Sequence, residues 1–267
     1  MTTECIVHRG VTLRYHRRRA LGDTLVFIHG LTDNAASFAR VAKALGGYYD
    51  VVTYDLRAHG DSDAPLEGYA TADHTDDLIA LLDHLSISDA TLIGHSLGAE
   101  IALEAQIRRP ELVQALVLED PPWQPDWVGQ PTPRRELATA SWRKWLEHLH
   151  TACLQEVIEI GKTEMPHWDP RDITAWAEAK HACRLVALDS VLAYREPWQS
   201  KIARISCRTL LVVGEPRKGA IVSHAMAMQA KELSPLLEVA SIEGAGHGIH
   251  RDRFDAYVNA LRQFVRQ

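Results

Sequence analysis

The chain has 267 residues, 46% hydrophobic and 24% charged, and 29 Lys+Arg against 35 Asp+Glu leave a formal net charge of −6. At this length folding takes roughly three quarters of the unfolded surface out of water, so one large core suffices without disulfide staples, and a mildly acidic chain with no basic block argues against nucleic acid or an anionic membrane as partner. The longest uninterrupted apolar run, Leu78 to Leu82, is far short of the ~20 residues of a spanning helix, and the opening MTTECIVHRG has charges where a signal peptide is apolar, so a soluble cytoplasmic protein is expected.

Along the chain, short β-branched runs alternate with longer amphipathic segments, which predicts a mostly parallel sheet with helices on both faces. Cys5 to Val7 and Val11 to Tyr15, separated by His8-Arg9-Gly10, predict an antiparallel hairpin. Further strands are predicted at Leu25 to Ile28, Val51 to Tyr54, Thr91 to Ile93, Leu116 to Leu118, Leu210 to Val213 and Leu237 to Ile242, making eight. Leu78, Leu81, Leu82 and Leu85 fall at helical spacing, as do Phe254, Tyr257, Val258, Leu261 and Val265, each set marking one buried stripe. From Pro121 to about Gln199 there is no β-rich run. That stretch holds eight of the twelve prolines and all seven tryptophans, and a loop of this length is implausible in a compact domain. A helical insertion over 121–199 is therefore predicted, with the core formed by 1–120 and 200–267. Trp123, Trp127 and Trp145 are the candidates to face a ligand, although tryptophans also serve to fill a small subdomain's own core.

The cysteines, Cys5, Cys153, Cys183 and Cys207, are scattered and are expected to be free buried thiols. No Cys/His cluster has metal-ligand spacing, and neither a metal nor a cofactor is expected.

The sharpest local signal is Gly94-His95-Ser96-Leu97-Gly98, which lies between the strand Thr91 to Ile93 and a helical segment from Ala99 to Arg109. A G-x-S-x-G motif in that setting forces the serine into a tight turn that exposes its hydroxyl. A base is needed to take the serine proton, and Gly244-Ala245-Gly246-His247-Gly248 after the last predicted strand frames His247 with glycines, whereas the nearby His250 lacks that frame.

With these residues the chain resembles the α/β-hydrolase family over its whole length. His29-Gly30 is similar to the family's HG turn, and Asp55-Leu56-Arg57-Ala58-His59-Gly60-Asp61-Ser62 to its D-x-R-G-x-G-x-S loop, with Ala58 where glycine is usual. The resemblance implies an oxyanion hole from the backbone N–H groups of Leu31 and Leu97, and a turn-shaping role for Asp55 to Ser62. It also implies a catalytic acid, and here the chain departs from the common pattern. The usual G-x-x-D after the seventh strand reads Gly214-Glu215-Pro216-Arg217. In some lid-bearing relatives, including haloalkane dehalogenases and lactonases, the acid follows the sixth strand, where this chain has Glu119-Asp120. Consecutive strand residues point to opposite faces, so only one of these can reach His247. Asp120 is preferred, with Glu119 and Glu215 as alternatives.

Ser96, Asp120 and His247 in that order imply a serine hydrolase of carboxylic esters or lactones, working through an acyl-serine on a small apolar or aromatic substrate beneath a Trp-rich lid. Carbon–carbon bond hydrolysis and a slow-turnover ligand receptor are the alternatives. A serine nucleophile argues against dehalogenase and epoxide hydrolase chemistry. The expected partner is a small-molecule substrate, with a homodimer left open.

Overall fold

The computed structural model describes residues 1–266. Strands β1 (Thr2–His8), β2 (Val11–Arg18), β3 (Gly22–Ile28), β4 (Tyr49–Tyr54), β5 (Ala90–His95), β6 (Val113–Glu119), β7 (Arg208–Val213) and β8 (Leu237–Ser241) form one sheet in the order β1-β2-β4-β3-β5-β6-β7-β8. Only β1 with β2 and β2 with β4 pair antiparallel. The hairpin turn uses Arg9 and Gly10 at φ 48° and 78°, the left-handed pair that a tight two-residue connection demands.

The helices are α1 (Ala39–Ala44), α2 (Thr71–His84), α3 (Leu97–Arg108), α4 (Pro133–Thr151), α5 (Leu154–Glu164), α6 (Pro170–Ala182), α7 (Asp189–Leu192), α8 (Trp198–Ile202), α9 (His224–Leu233), α10 (Ile249–Asp252) and α11 (Phe254–Val265). Strand alternation divides the core in two. Val26, Ile28, Val52, Tyr54, Leu92, Leu116, Leu118 and Leu211 pack with Leu78, Leu81 and Leu82 of α2 and with α3. Leu25, Phe27, Val51, Ile93, Val117 and Val212 pack on the opposite face with Val41 of α1 and Tyr257, Val258 and Leu261 of α11. The eight strands and both apolar stripes lie where the sequence predicts them.

The differences are local. β5 runs two residues beyond Ile93 because Gly94 and His95 pair with Leu118 and Glu119 of β6, which carries the ladder up to Ser96. The following helix then starts at once, at Leu97 rather than Ala99. Cys183 is buried, but Cys5 and Cys153 are exposed, contrary to expectation.

Between β6 and β7 the chain forms α4 to α8 without a named strand. Thr132 caps α4 by accepting from Arg135 N, and Asp169 caps α6, each just before a proline in the first turn, where the missing proline N–H costs nothing. Arg135, 1% exposed, fastens this segment by donating to the carbonyls of Trp127, Val191 and Ala193. Arg195 fastens it to α3 through an ion pair with Glu100 in that helix's first turn, and Lys201 reaches Glu100 at 3.4 Å and Glu104 at 3.0 Å.

Candidate active site

The loops that follow β3, β5, β6, β7 and β8 meet at the carboxyl edge of the sheet, the usual place for a ligand in an open α/β sheet. After β5, Ser96 turns the chain with φ 52° and ψ −116°, a conformation that non-glycine residues hold only when their surroundings enforce it, at a cost of about 1–3 kcal/mol. The enforcement is visible: Ser96 N donates to Glu119 O at 2.9 Å, and Ala99 N donates back to Ser96 O at 3.0 Å. The flanking glycines are steric necessities. A Cβ on Gly94 would collide with the Gly98 carbonyl, and one on Gly98 with the Ile28 carbonyl. Leu97 opens α3, so its N–H is among the first-turn donors that the helix itself leaves unused.

The three carboxylates left open by the sequence have separate tasks. Asp120, with φ 40° and no exposed surface, accepts from His247 Nδ1 at 2.6 Å and from the backbone N–H groups of Ile221 and Val222 at 2.9 Å. Glu119, equally buried on the other side of the strand, accepts from His250 Nδ1 at 2.8 Å and His250 N at 2.9 Å. Two consecutive acids thus take two histidines three residues apart. Burial alone would raise the Glu119 carboxyl, but His250 and the neighbouring His95 outweigh it and hold it at about 2. Glu215 accepts from Gly244 N at 2.7 Å and so anchors the loop that carries His247.

His247 is partly open, with its side chain 37% exposed. Its carbonyl accepts from His95 Nε2 at 2.9 Å, and the two rings lie 4.7 Å apart. Burial holds His95 down to about 3, so it is a neutral donor that positions the His247 loop. His29 Nε2 accepts from Leu56 N, and His59 Nε2 from Thr32 N at 3.1 Å. Asp55 accepts from Ala35 N and Asp61 N. These side chains shape turns, and Ala58 occupies a left-handed φ of 62°, which is the physical reason for glycine at that place in similar loops.

Ser96 and His247 line two adjoining cavities. The larger, about 1060 Å³, is walled by Trp142, Trp145, Trp168 and Trp176 and by Asp33, Lys180 and Arg251. The smaller, about 230 Å³, is bounded by Leu31, Leu97, Trp127, Trp142 and Arg195. Trp127 and Trp145 therefore stand at the cavities. Trp123 does not: it is 4% exposed and stacks on Trp198 at 4.6 Å in the sheet core. It follows Pro121 and Pro122 directly after the last strand residues, and that short connection keeps it beneath the insertion.

Lys180 and Arg251 were not singled out from the sequence. Lys180 carried a signal, since it continues the stripe Ile173, Trp176 and Ala177 of α6 at i+7, where an apolar residue is normal. Among the described residues no three His, Cys, Asp or Glu side chains converge as metal ligands would, and no helix is long and apolar enough to cross a membrane.

A strained serine elbow, a buried acid on a histidine and an eight-stranded sheet define a hydrolase fold, and the model of the alpha/beta hydrolase family matches residues 25–260. The chain belongs to that family. It is 27% identical over 261 residues to N-formylmaleamate deformylase of Pseudomonas putida, covering 96% of this chain and 93% of that protein. It is 26% identical over 265 residues to 2-(acetamidomethylene)succinate hydrolase of Mesorhizobium japonicum, covering 93% and 90%. The crystal structure of an N-formylmaleamic acid deformylase from Pseudomonas putida superposes with a TM-score of 0.81 at 22% identity, over 97% of this chain and 100% of that one. The protein is an enzyme of the hydrolase class.

Proposed function

We propose that Ser96, His247 and Asp120 form a catalytic triad that hydrolyses a carboxylic-acid derivative through an acyl-serine. The observation that carries this reading is the buried Asp120 carboxylate on Nδ1 of a half-open His247 whose ring shares both cavities with Ser96. His247 Nε2 takes the Ser96 proton as Oγ bonds to the acyl carbon, then gives it to the departing oxygen or nitrogen as that bond breaks. A water deprotonated by the same nitrogen releases the acid and restores the serine. The Leu31 and Leu97 N–H groups stabilise the oxyanion, each worth roughly 3–4 kcal/mol of barrier. The tryptophan-bearing segment between β6 and β7 serves as the lid.

Esters and lactones are the substrates expected from the sequence. Small N-acyl amides are the second reading, favoured because two relatives matched over nearly their whole length are named for N-formyl and acetamido compounds. An organophosphonate should add once, on Ser96, by intact mass and peptide mapping. Measurable hydrolysis of aryl esters or formamides with no adduct, or with an adduct elsewhere, contradicts the triad.

The lid assignment predicts an optical difference among the tryptophans. In Ser96→Ala protein, saturation with a product acid should shift intrinsic fluorescence. Trp142→Phe should remove most of that shift, because Trp142 borders both cavities and is 41% exposed. Trp123→Phe should leave it in place. A shift that follows Trp123 instead would contradict the pocket described.

A further inference from the structure

The larger cavity holds more buried positive charge than its structure needs. Asp33, 3% exposed, receives both Arg251, with Nη1 at 3.1 Å and Nη2 at 3.2 Å, and Lys180, with Nζ at 3.3 Å. Lys180 also donates to Thr32 O at 2.9 Å. Both cations are buried, at 4% and 5% exposure, and both face the cavity that contains Ser96. One carboxylate balances one of them, and an ammonium or guanidinium kept from water without a counterion is costly.

Their donors are not exhausted either. An ammonium has three N–H groups and a guanidinium five, yet each cation uses two here, and Arg251 Nε is buried with no partner. Burial presses Lys180 below its ordinary value against the pull of Asp33.

The other charges nearby do not supply the missing anion. Asp252 lies beyond ion-pair distance of both cations, each of which pairs with Asp33, and its carboxylate is turned instead to Trp168 Nε1 at 2.6 Å, Gly246 N at 2.6 Å and His167 Nε2 at 2.9 Å. Glu164, Lys218 and Arg253 are exposed, where solvent screens them. In the smaller cavity Arg195 is matched by Glu100, and Lys201 is shared between Glu100 and Glu104, so that side is neutral. A surplus of one positive charge fits one carboxylate, whereas a phosphate dianion would overshoot it.

We propose that Lys180 and Arg251 form a subsite for a carboxylate carried by the substrate, with Asp33 holding the two cations in place. The enzyme therefore selects substrates that carry a free carboxylate, on the acyl or the leaving-group side, over their neutral counterparts. The turnover part rests on the triad reading, but the binding part does not.

Calorimetric titration of Ser96→Ala protein with succinate, monomethyl succinate and dimethyl succinate tests binding without catalysis. The two anions should bind and weaken as salt is raised, and the diester should bind poorly. Lys180→Met should weaken succinate by at least roughly tenfold, the scale for loss of one partner from a buried charged contact. Asp33→Asn, which keeps an acceptor oxygen on the two cations but removes the competing negative charge, should tighten it. Thermal melts identify any variant that fails to fold, and for such a variant Arg251→Lys replaces it, with weaker succinate binding expected because the fork geometry is lost.

Turnover is compared between phenyl acetate and two carboxylate-bearing esters, monophenyl succinate and acetylsalicylate. Wild type should favour at least one anionic ester in kcat/KM, and Lys180→Met should lose that preference mainly through KM. Equal binding of succinate and its diester, tighter binding of inorganic phosphate than of succinate, or affinities indifferent to Lys180→Met and Asp33→Asn would overturn the subsite. Those results with active enzyme leave the triad standing. Selective succinate binding by an inactive wild type would instead sink the triad and keep the subsite.

Discussion

Asp120→Asn is expected to lower kcat by about 10⁴, the cost of the same change in the best-studied serine triad, while the protein stays folded. An asparagine offers the Nδ1 atom of His247 either a neutral oxygen or an N–H, so the imidazole loses the anion that fixes its tautomer and stabilises its charged form. Asp120 also accepts from Ile221 N and Val222 N, which an amide oxygen can retain in part, so a stability loss of about 1–3 kcal/mol accompanies the change. Circular dichroism melts separate that from the rate. Glu215→Gln should cost tenfold or less in kcat, because Glu215 touches the histidine loop at Gly244 N and not the ring. A crippled Glu215→Gln beside a near-normal Asp120→Asn would reverse the assignment.

Glu119→Gln should be damaging in the other currency. It removes the charge from a fully buried pair with His250, and breaking such a pair costs roughly 3 kcal/mol or more, enough to lower Tm by roughly 10 °C in a chain of this size. Its kcat should stay within about tenfold of wild type, because His250 is not the histidine at Ser96. The pH dependence has a definite sign. The folded-state value of about 2 lies below the ordinary 4.5, so the stabilisation is complete above about pH 4.5 and vanishes as the pH falls towards 2. Wild-type and Glu119→Gln proteins should therefore differ most near neutrality and converge in acid, as measured by urea unfolding. An equal gap at pH 3 and pH 7 would show that the loss is packing rather than charge.

These contrasts mark where the sequence is and is not transparent. The central strands were legible because alternate residues serve two cores: Leu25 and Phe27 face one set of helices, Val26 and Ile28 the other, so these strands read as short, nearly unbroken apolar runs. Ser96 and His247 were legible because their turns need glycines at fixed offsets. Glu119 and Asp120 could be ranked but not settled, since what separates them is the backbone of Ile221 and the ring of His250, both more than a hundred residues away. The tryptophans were legible as a group only. Composition places all seven in one segment, and packing alone decides that Trp123 and Trp198 stack in the core while five others stand at the cavities. Lys180 and Arg251 escaped notice for a related reason: their pairing through Asp33 joins positions 218 residues apart at the extreme.

The pair of acids at the end of β6 also sets an order of events in synthesis. Asp120 and Glu119 leave the ribosome 127 and 131 residues before their histidines, an interval on the order of ten seconds at usual elongation rates. During that time two adjacent carboxylates sit at the tip of what becomes a central strand, with neither their histidines nor the 221–222 amides to receive them. Two like charges cannot be taken from water unpaired, so the middle of the sheet has to stay hydrated until the C-terminal segment arrives. A nascent chain stalled before residue 221 is then a substrate for chaperones and proteases rather than a half-built enzyme.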